Sequence, residues 1–219
     1  SYGRIKARSL KPNQDRLLAA LLPQLAVNLA DPLANWGGHE IVVEIGFGGG
    51  EHLAQQALQH PNQRFLGVEP FINGVASCLQ HLAAGGQTNV RLHQGDARDV
   101  LAALPDRSVT RVDILFPDPW PKTRHKKRRL IQAPVRDALA RVLQPGGAVH
   151  FATDWADYAD WTLAQFVADP RFVWTAERAD DWRKPWPGHV ATRYELKRLG
   201  DCAPVFLEFL RNEPGAQQR

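Results

Sequence analysis

The sequence predicts a doubly wound α/β fold: a mostly parallel sheet with helices on both faces and an antiparallel last strand. Short β-branched runs alternate with longer stretches of helical period between residues 41 and 153. A glycine-rich turn follows the first of these runs. The 219 residues are 44% hydrophobic and 23% charged, which is typical of a globular chain. Right-handed crossovers between parallel strands then place helices on both faces of the sheet.

Strands and helices are expected to alternate through the central part of the chain. The predicted strands are Ile41–Ile45, Arg64–Val68, Asn89–His93, Arg111–Phe116 and Ala148–Thr153. The predicted helices between them are Glu51–Gln59, Phe71–Ala84, Ala97–Leu104 and Arg129–Leu143. Apolar residues of the last helix form one stripe, and the sequence Pro-Gly-Gly after it is expected to end the helix before the next strand.

Elements of other kinds are expected toward the two ends. Residues 1–35 are predicted to be a helical N-terminal arm, because leucines repeat at helical spacing, and residues 36–219 are predicted to be a single domain. After the fifth strand we expect a helix at Tyr158–Ala168, a strand at Phe172–Thr175, a loop rich in Trp, Pro and Gly at Asp180–Gly188, and an antiparallel strand at Val205–Leu210.

Charge and cysteine content narrow the classes of function. Lys and Arg number 27 against 23 Asp and Glu, a net charge of +4, and the isoelectric point near 9.3 makes a nucleic-acid partner worth testing. Cys78 and Cys202 form no C-x-x-C pair, which argues against a disulfide framework or a cysteine zinc site and predicts a reducing, cytoplasmic location. The same cysteine pattern gives no reason to expect a metal. The apolar stretch Leu17–Ala30 is shorter than a membrane span and is interrupted by polar residues, so no membrane association is expected.

Carboxylates lie at the predicted strand ends, on the edge of the sheet where open α/β folds bind ligands. Glu44 lies near the end of the first strand, Glu69 follows the second and Asp96 follows the third. Glu69 is placed to accept both ribose hydroxyls of a nucleoside, and Asp96 to accept a hydrogen bond from an exocyclic adenine amine. The sequence therefore predicts a cofactor that contains a nucleoside.

Two such cofactors fit the pattern, a nicotinamide dinucleotide and S-adenosyl-L-methionine. Gly46, Gly48 and Gly50 alternate and Glu51 follows, in place of the dinucleotide spacing G-x-G-x-x-G. Glu51 beside a pyrophosphate would set like charge against like charge. The carboxylate and ammonium of methionine together carry less negative charge than a pyrophosphate, so they repel Glu51 less. Glu44 could accept from the methionine ammonium, so the pattern favours S-adenosylmethionine, with Gly46 and Gly48 as close backbone contacts.

Purely structural roles explain parts of the same pattern. Glu69 and Asp96 also suit helix N-caps, as does Asp154 at the end of the fifth strand. Thr192 and Glu195 have the spacing of a capping box. The glycines would equally suit a tight strand-to-helix turn. From the residues alone, these alternatives stay open.

The fourth strand leads into a proline-rich turn and then a basic segment. Asp118 lies between two prolines that restrict its backbone, and Trp120 is a candidate for stacking on a base. Positive charge at the start of the expected helix is disfavoured by the helix dipole, which indicates an anionic partner such as RNA phosphates. His125 is interpreted as part of this charged surface and not as a catalytic base. The basic residues are Lys122, Arg124, His125, Lys126, Lys127, Arg128 and Arg129.

Six segments resemble the bacterial tRNA (guanine-N7-)-methyltransferases. They are Glu44–Gly50, Gly67–Pro70, Gly95–Ala97, Phe116–Leu130, Thr153–Trp155 and Thr192–Glu195. The block FPDPWPKTRHKKRRL is the most specific, while the glycine loop is shared with all class I S-adenosylmethionine-dependent methyltransferases. The resemblance implies the Rossmann-like fold of that class, S-adenosylmethionine as the cofactor, and guanosine 46 in the variable loop of tRNA as the substrate.

The resemblance also implies roles for individual residues. The cofactor-binding carboxylates would be Glu44, Glu69, Asp96 and Asp118, and Asp118 would also be the catalytic residue. The substrate-binding residues would be Lys122, Asp154, Thr192, Arg193, Tyr194 and Glu195. Guanine N7 carries a lone pair and no proton, so its methylation needs no general base. Asp118 is therefore expected to stabilise the positive charge that develops on the purine.

Other functions remain compatible with the sequence. Asp-Pro-Trp is similar to the turn of methyltransferases that modify exocyclic amines, and the same fold could serve as a non-catalytic RNA-binding module. A dehydrogenase is disfavoured by the glycine spacing. The oligomeric state, monomer or homodimer, is left open.

Overall fold

The computed structural model describes residues 9–212, which form two compact units. The first comprises the residues up to Leu104 together with Val190–Arg193, and the second comprises Pro105–His189 and the residues from Tyr194 onward. The division of the chain into an arm at 1–35 and a domain at 36–219 stays a prediction, and residues 1–8 of that arm lie outside the described residues. Within 9–212, no helix is long and apolar enough to cross a bilayer.

The first unit is a three-stranded parallel sheet with helices between its strands. Its elements are α1 Pro12–Ala20, α2 Leu22–Leu25, β1 Ile41–Ile45, α3 Glu51–Gln59, β2 Arg64–Val68, α4 Ile72–Gly85, β3 Val90–His93 and α5 Ala97–Ala103. The strands lie in the order β3-β2-β1, with Ile41 opposite Arg64 and Phe65 opposite Val90. Strands β1 and β2 and helix α3 have the predicted bounds, because buried β-branched or apolar runs end at glycine and polar residues.

The N-terminal leucines pack on the core of this unit. Leu17, Leu18, Leu21, Leu22 and Leu25 all contact the cluster that helices α3 and α4 form with the sheet. These leucines lie on two short helices, α1 and α2, because Pro23 cannot donate a hydrogen bond to the preceding turn. The predicted helical spacing of the leucines thus corresponds to an apolar face shared by two helices.

The second unit contains four strands in the order β4-β5-β7-β6. Its elements are β4 Val109–Leu115, a 3₁₀ helix Thr123–Arg128, α6 Ala133–Val142, β5 Leu143–Thr153, α7 Ala156–Val167, β6 Phe172–Trp174, α8 Asp180–Arg183 and β7 Val205–Arg211; the short helix α9, Arg193–Lys197, begins at the last residue of the first unit. Strands β4 and β5 are parallel, and β7 is antiparallel to both β5 and β6. The antiparallel last strand was predicted from the sequence.

Several predicted boundaries in this unit are wrong, and the first four residues of the predicted loop Asp180–Gly188 form α8. The helix expected from Arg129 begins instead at Ala133, where Gln132 is the N-cap and a proline occupies the first turn. The basic run forms its own 3₁₀ helix, so the argument that it opposes the dipole of a long helix does not hold. Strand β5 begins at Leu143, and its Pro-Gly-Gly segment lies within the strand at a register shift against β4.

Gly74 on α4 lies against the glycine turn after β1. A Cβ there would lie 2.3 Å from the carbonyl oxygen of Gly48 and 3.2 Å from Cγ of Glu69. In most helices Gly→Ala stabilises. We expect Gly74→Ala to lower the free energy of unfolding by about 1–3 kcal/mol, because backbone must shift to admit the methyl group. Urea unfolding measures this change.

Gly85→Ala in the same helix is the matched control. Its Cβ would meet only the flexible end of the Gln87 side chain, so this variant should be as stable as the parent or more stable. Equal stability of the two variants would contradict the close approach at Gly74.

Candidate functional site

The turn between β1 and α3 is built from three glycines with left-handed backbone. Gly46, Gly48 and Gly50 have φ values of 76°, 55° and 80°, a region that other residues rarely adopt. A Cβ at Gly46 would meet no described atom within 4 Å, whereas one at Gly50 would lie 2.4 Å from Cβ of Cys78. The turn is thus packed against the protein at Gly50 and open at Gly46, where a ligand could approach the backbone.

Glu69, directly after β2, holds this turn in place. Its carboxylate accepts one hydrogen bond from the Gly48 N–H and one from the Phe71 N–H, each 2.9 Å long. The side chain is buried. A carboxylate can accept about four hydrogen bonds, so this structural role is compatible with accepting ribose hydroxyls as well.

Glu44, near the end of β1, is buried beside a histidine that sequence reasoning missed. Oε2 of Glu44 lies 2.8 Å from Nδ1 of His52, and both side chains are 3% exposed. His52 is on α3, eight residues further along the chain, and nothing in its spacing marked it as a partner. The pair joins the end of β1 to the first turn of α3, the two elements that flank the glycine turn.

Asp96 caps helix α5 and pairs with Arg98. Its carboxylate accepts from the Arg98 backbone N–H at 3.0 Å and from the guanidinium at 2.9 and 2.6 Å. These side-chain hydrogen bonds hold the pKa of Asp96 well below its usual range. The structural alternative is therefore realised here, and adenine recognition by Asp96 remains a prediction.

Arg193 contacts the first turn of α3. Its Nη2 lies 2.6 Å from Oε1 of Glu51, whose carboxylate also folds over Gly49 of the glycine turn. Thr192 directly precedes α9, at the N-cap position that its spacing to Glu195 predicted. Two of the four residues of the predicted substrate segment thus belong to the first unit.

In the second unit, the turn that carries Asp118 is strained. Phe116 and Trp120 have left-handed φ values of 50° and 44°, which are uncommon for bulky side chains and cluster at functional sites. Asp118 lies between them and is exposed. Sequence reasoning predicted the constrained position of Asp118 but not the strain on either side of it.

Arg129 stabilises this turn through hydrogen bonds from its buried side chain. Its side chain is fully buried; Nε donates to the carbonyl of Pro119 at 2.9 Å, and the other guanidinium nitrogens donate to Asp157. The guanidinium also lies over the rings of Tyr158 and Trp161, at 4.8 and 5.4 Å from their centroids. Arg129 was expected on the cationic surface, and this is wrong: it is a structural cation.

Other members of the basic run do reach solvent. Lys122, Arg124 and Lys127 are exposed, whereas Lys126 pairs with Asp157 at 2.7 Å. Trp120, the candidate stacking platform, has the guanidinium of Arg128 over its ring at 5.0 Å. The surface is therefore cationic, but fewer of its charges face solvent than the sequence indicated.

Asp154 ties the end of β5 to the segment after α9. Its Oδ2 accepts from the Gly200 N–H at 2.7 Å, and its carbonyl accepts from the Cys202 N–H. The same segment also contacts the first turn of α7, because the Asp201 carboxylate accepts a hydrogen bond from the Ala156 N–H. Asp154 thus has a structural partner, and its predicted contact with substrate remains untested.

Tyr194 and Glu195 lie on α9 and face different surroundings. Tyr194 is 55% exposed, while Oε2 of Glu195 lies 2.7 Å from Nε2 of the buried His189.

Among the described residues, no group of three or more His, Cys, Asp or Glu side chains could hold a metal ion.

Solved structures share this fold. The chain is similar to the antibiotic-resistance methyltransferase Kmr, with a TM-score of 0.59, 18% identity and coverage of 86% of this chain and 94% of that one. It is also similar to a 16S rRNA (adenine(1408)-N(1))-methyltransferase from Catenulisporales acidiphilia that was solved with its cosubstrate SAM, with a TM-score of 0.55, 17% identity and coverage of 95% and 96%. The predicted doubly wound fold is thereby confirmed as that of class I methyltransferases.

Sequence comparison gives the family. A family profile described as "Putative methyltransferase" matches residues 38–205. A tRNA (guanine-N(7)-)-methyltransferase of Caulobacter sp. (strain K31) is 52% identical over 96% of this chain and 94% of its own; one of Nitrobacter hamburgensis is 45% identical over 99% and 88%. The chain belongs to the tRNA (guanine-N7-)-methyltransferase family.

The role of Arg129 can be tested by a substitution that keeps the charge. In Arg129→Lys, one ammonium cannot reach Pro119 and Asp157 together as the planar guanidinium does. We expect the free energy of unfolding to fall by about 1–3 kcal/mol, measured by urea denaturation. Arg124→Lys on the exposed part of the run should stay within about 0.5 kcal/mol of the parent. If Arg129→Lys is as stable as the parent, the guanidinium contacts to Pro119 and Asp157 do not stabilise this turn.

Proposed function

We propose that this chain transfers the methyl group of S-adenosyl-L-methionine to N7 of guanosine 46 in the variable loop of tRNA. The observation that carries the proposal is family membership: relatives about half identical over nearly the whole chain are named for methylation of tRNA at guanine N7. Position 46 is the finer part of the proposal and rests on the resemblance of the motifs. With tRNA as the substrate, the location we propose is the cytoplasm.

The residues of the first unit suit such a cofactor. The open backbone at Gly46 admits close approach, and Gly48 is the second proposed backbone contact. Glu69 offers acceptors for ribose hydroxyls, and Glu44 near the end of β1 is the proposed partner of the methionine ammonium. Asp96 would contact the adenine edge, sharing its carboxylate with Arg98. When bound, S-adenosylmethionine supplies an electrophilic methyl group on a sulfonium.

Methylation at N7 requires the protein to align the base with the methyl group and requires no proton transfer. N7 has a lone pair, so the protein must orient the base and stabilise charge; correct alignment is worth up to about 7–11 kcal/mol. Asp118, held on its strained turn, is the proposed cofactor contact and catalytic residue. Its carboxylate would stabilise the cationic purine that forms and accept from the donor edge of the base.

RNA binding is assigned to the charged and exposed side chains. The exposed Lys122 is proposed to contact a phosphate, and such contacts make binding salt-dependent without reading sequence. N7 of a paired guanine lies in a groove that side chains cannot reach, so the target base must be unstacked. The remaining proposed substrate contacts are Asp154, Thr192, Arg193, Tyr194 and Glu195.

Incubation with labelled S-adenosylmethionine and unmodified tRNA, followed by digestion to nucleosides, tests the reaction. N7-methylguanosine, which carries a fixed positive charge, should be the labelled product. A tRNA with adenosine at position 46 is the control and should take up no label. Label in N6-methyladenosine would overturn the proposal in favour of an exocyclic-amine methyltransferase, and binding of tRNA without label in any nucleoside would favour an RNA-binding module.

Asp118→Asn tests the catalytic residue. We expect kcat to fall at least tenfold, because the amide carries no charge to stabilise the product cation. The affinity for S-adenosylhomocysteine, measured by calorimetry, should change less than threefold, since the contacts of the glycine turn and Glu69 remain. Asp160→Asn on the exposed face of α7 is the matched control and should leave kcat unchanged. An unchanged kcat in Asp118→Asn would remove Asp118 from the mechanism.

A further inference from the structure

Helix α9 presents an exposed surface but is too short to be stable without contacts to the rest of the protein. It has five residues, far fewer than an isolated helix needs to be stable in water. Tyr194 and Leu196 are 55% and 73% exposed, and Nζ of Lys197 lies 5.6 Å from the centroid of the Tyr194 ring. An exposed aromatic ring beside cations suits an unstacked nucleotide, but only if the helix is fixed.

Glu195 provides an inward contact of this helix. Its carboxylate lies 2.7 Å from Nε2 of His189, and the two side chains are only 17% and 3% exposed. The His189 ring packs in turn against the rings of Trp186 and Phe206, at centroid distances of 5.6 and 5.3 Å. The helix is thereby linked to an aromatic cluster beneath it.

Trp186 is the point at which the loop before α9 meets the sheet. Its neighbours Lys184, Pro185, Pro187 and Gly188 are exposed, whereas Trp186 is partly buried. Its ring stacks on the imidazole of His150 at 4.0 Å with an interplanar angle of 25°. A tryptophan that packs inward while its neighbours face solvent anchors the loop.

His150 is a rigid base for this stack. It lies within β5, with Nδ1 3.2 Å from Oδ1 of Asp113 on β4 and Nε2 2.8 Å from Oε2 of Glu208 on β7. Burial alone would lower the pKa of His150, but the two carboxylates outweigh it and raise the pKa above its ordinary value.

The geometry points to the aromatic cluster of His150, Trp186 and His189, in which His150 stacks on Trp186 and His189 meets the indole edge to face, as the device that positions α9 for RNA. The inference rests on the proposed function and deepens it. Strand β5 fixes His150, His150 holds Trp186 by stacking, and the Trp186–His189 pair orients Glu195 and with it the helix. These side chains act through α9 and are positioning residues, distinct from groups that touch the reacting atoms.

Trp186→Ala tests this positioning role in the full-length enzyme. With unmodified tRNA as substrate, we expect KM for tRNA to rise about tenfold, kcat to stay within twofold and the affinity for S-adenosylhomocysteine to be unchanged. Trp186→Phe keeps an aromatic ring on His150 and should recover most of the lost affinity. Trp182→Ala, four residues earlier and within α8, is the matched control and should leave KM within twofold.

The outcomes separate this inference from the proposed function. If the parent enzyme makes no N7-methylguanosine, the proposed function fails. If the parent is active and Trp186→Ala has the same KM as Trp182→Ala, the positioning inference alone is overturned. Should Trp186→Ala fail to fold, His189→Ala leaves the indole seated on His150 and must show the same rise in KM; an unchanged KM in that variant overturns the inference equally.

Discussion

A carboxylate that accepts hydrogen bonds from two backbone N–H groups organises the first unit. Glu69 receives the N–H of Gly48 and of Phe71, so one side chain joins the end of β2, the glycine turn and the start of α4. Left-handed glycines make the turn possible, but they also make it conformationally free in the unfolded chain. The buried charge selects one geometry for a segment that has little intrinsic preference.

The second unit uses a cation for the same purpose. Arg129 donates to the carbonyl of Pro119 and to Asp157, and aromatic rings enclose it. In both units a charged side chain fixes the backbone of a loop that is short of regular structure. This arrangement explains why a turn as unfavourable as the one around Asp118 persists: surrounding contacts over-determine it.

The sequence predicted what depends on local pattern. The bounds of Ile41–Ile45 and Arg64–Val68 and the positions of the acidic strand ends follow from periodicity and from glycine spacing. It failed where a residue's role depends on a distant partner. Composition placed Arg129 on the surface with its charged neighbours, and neither His52 nor His150 was singled out, because their partners come from other strands and helices. Side-chain burial within a charged run has no local signature.

The left-handed Phe116 and Trp120 have a consequence for how this protein tolerates change. Glycine adopts these φ values without steric cost, so exchange to glycine at either position would relieve strain in the folded state. The same exchange would free the backbone on both sides of Asp118. Phe116 also packs on Leu115, Ala152 and Phe206, and glycine raises the conformational entropy of the unfolded chain. Relief of backbone strain by glycine would therefore be offset by lost packing, so both the fold and the chemistry favour keeping large side chains beside Asp118.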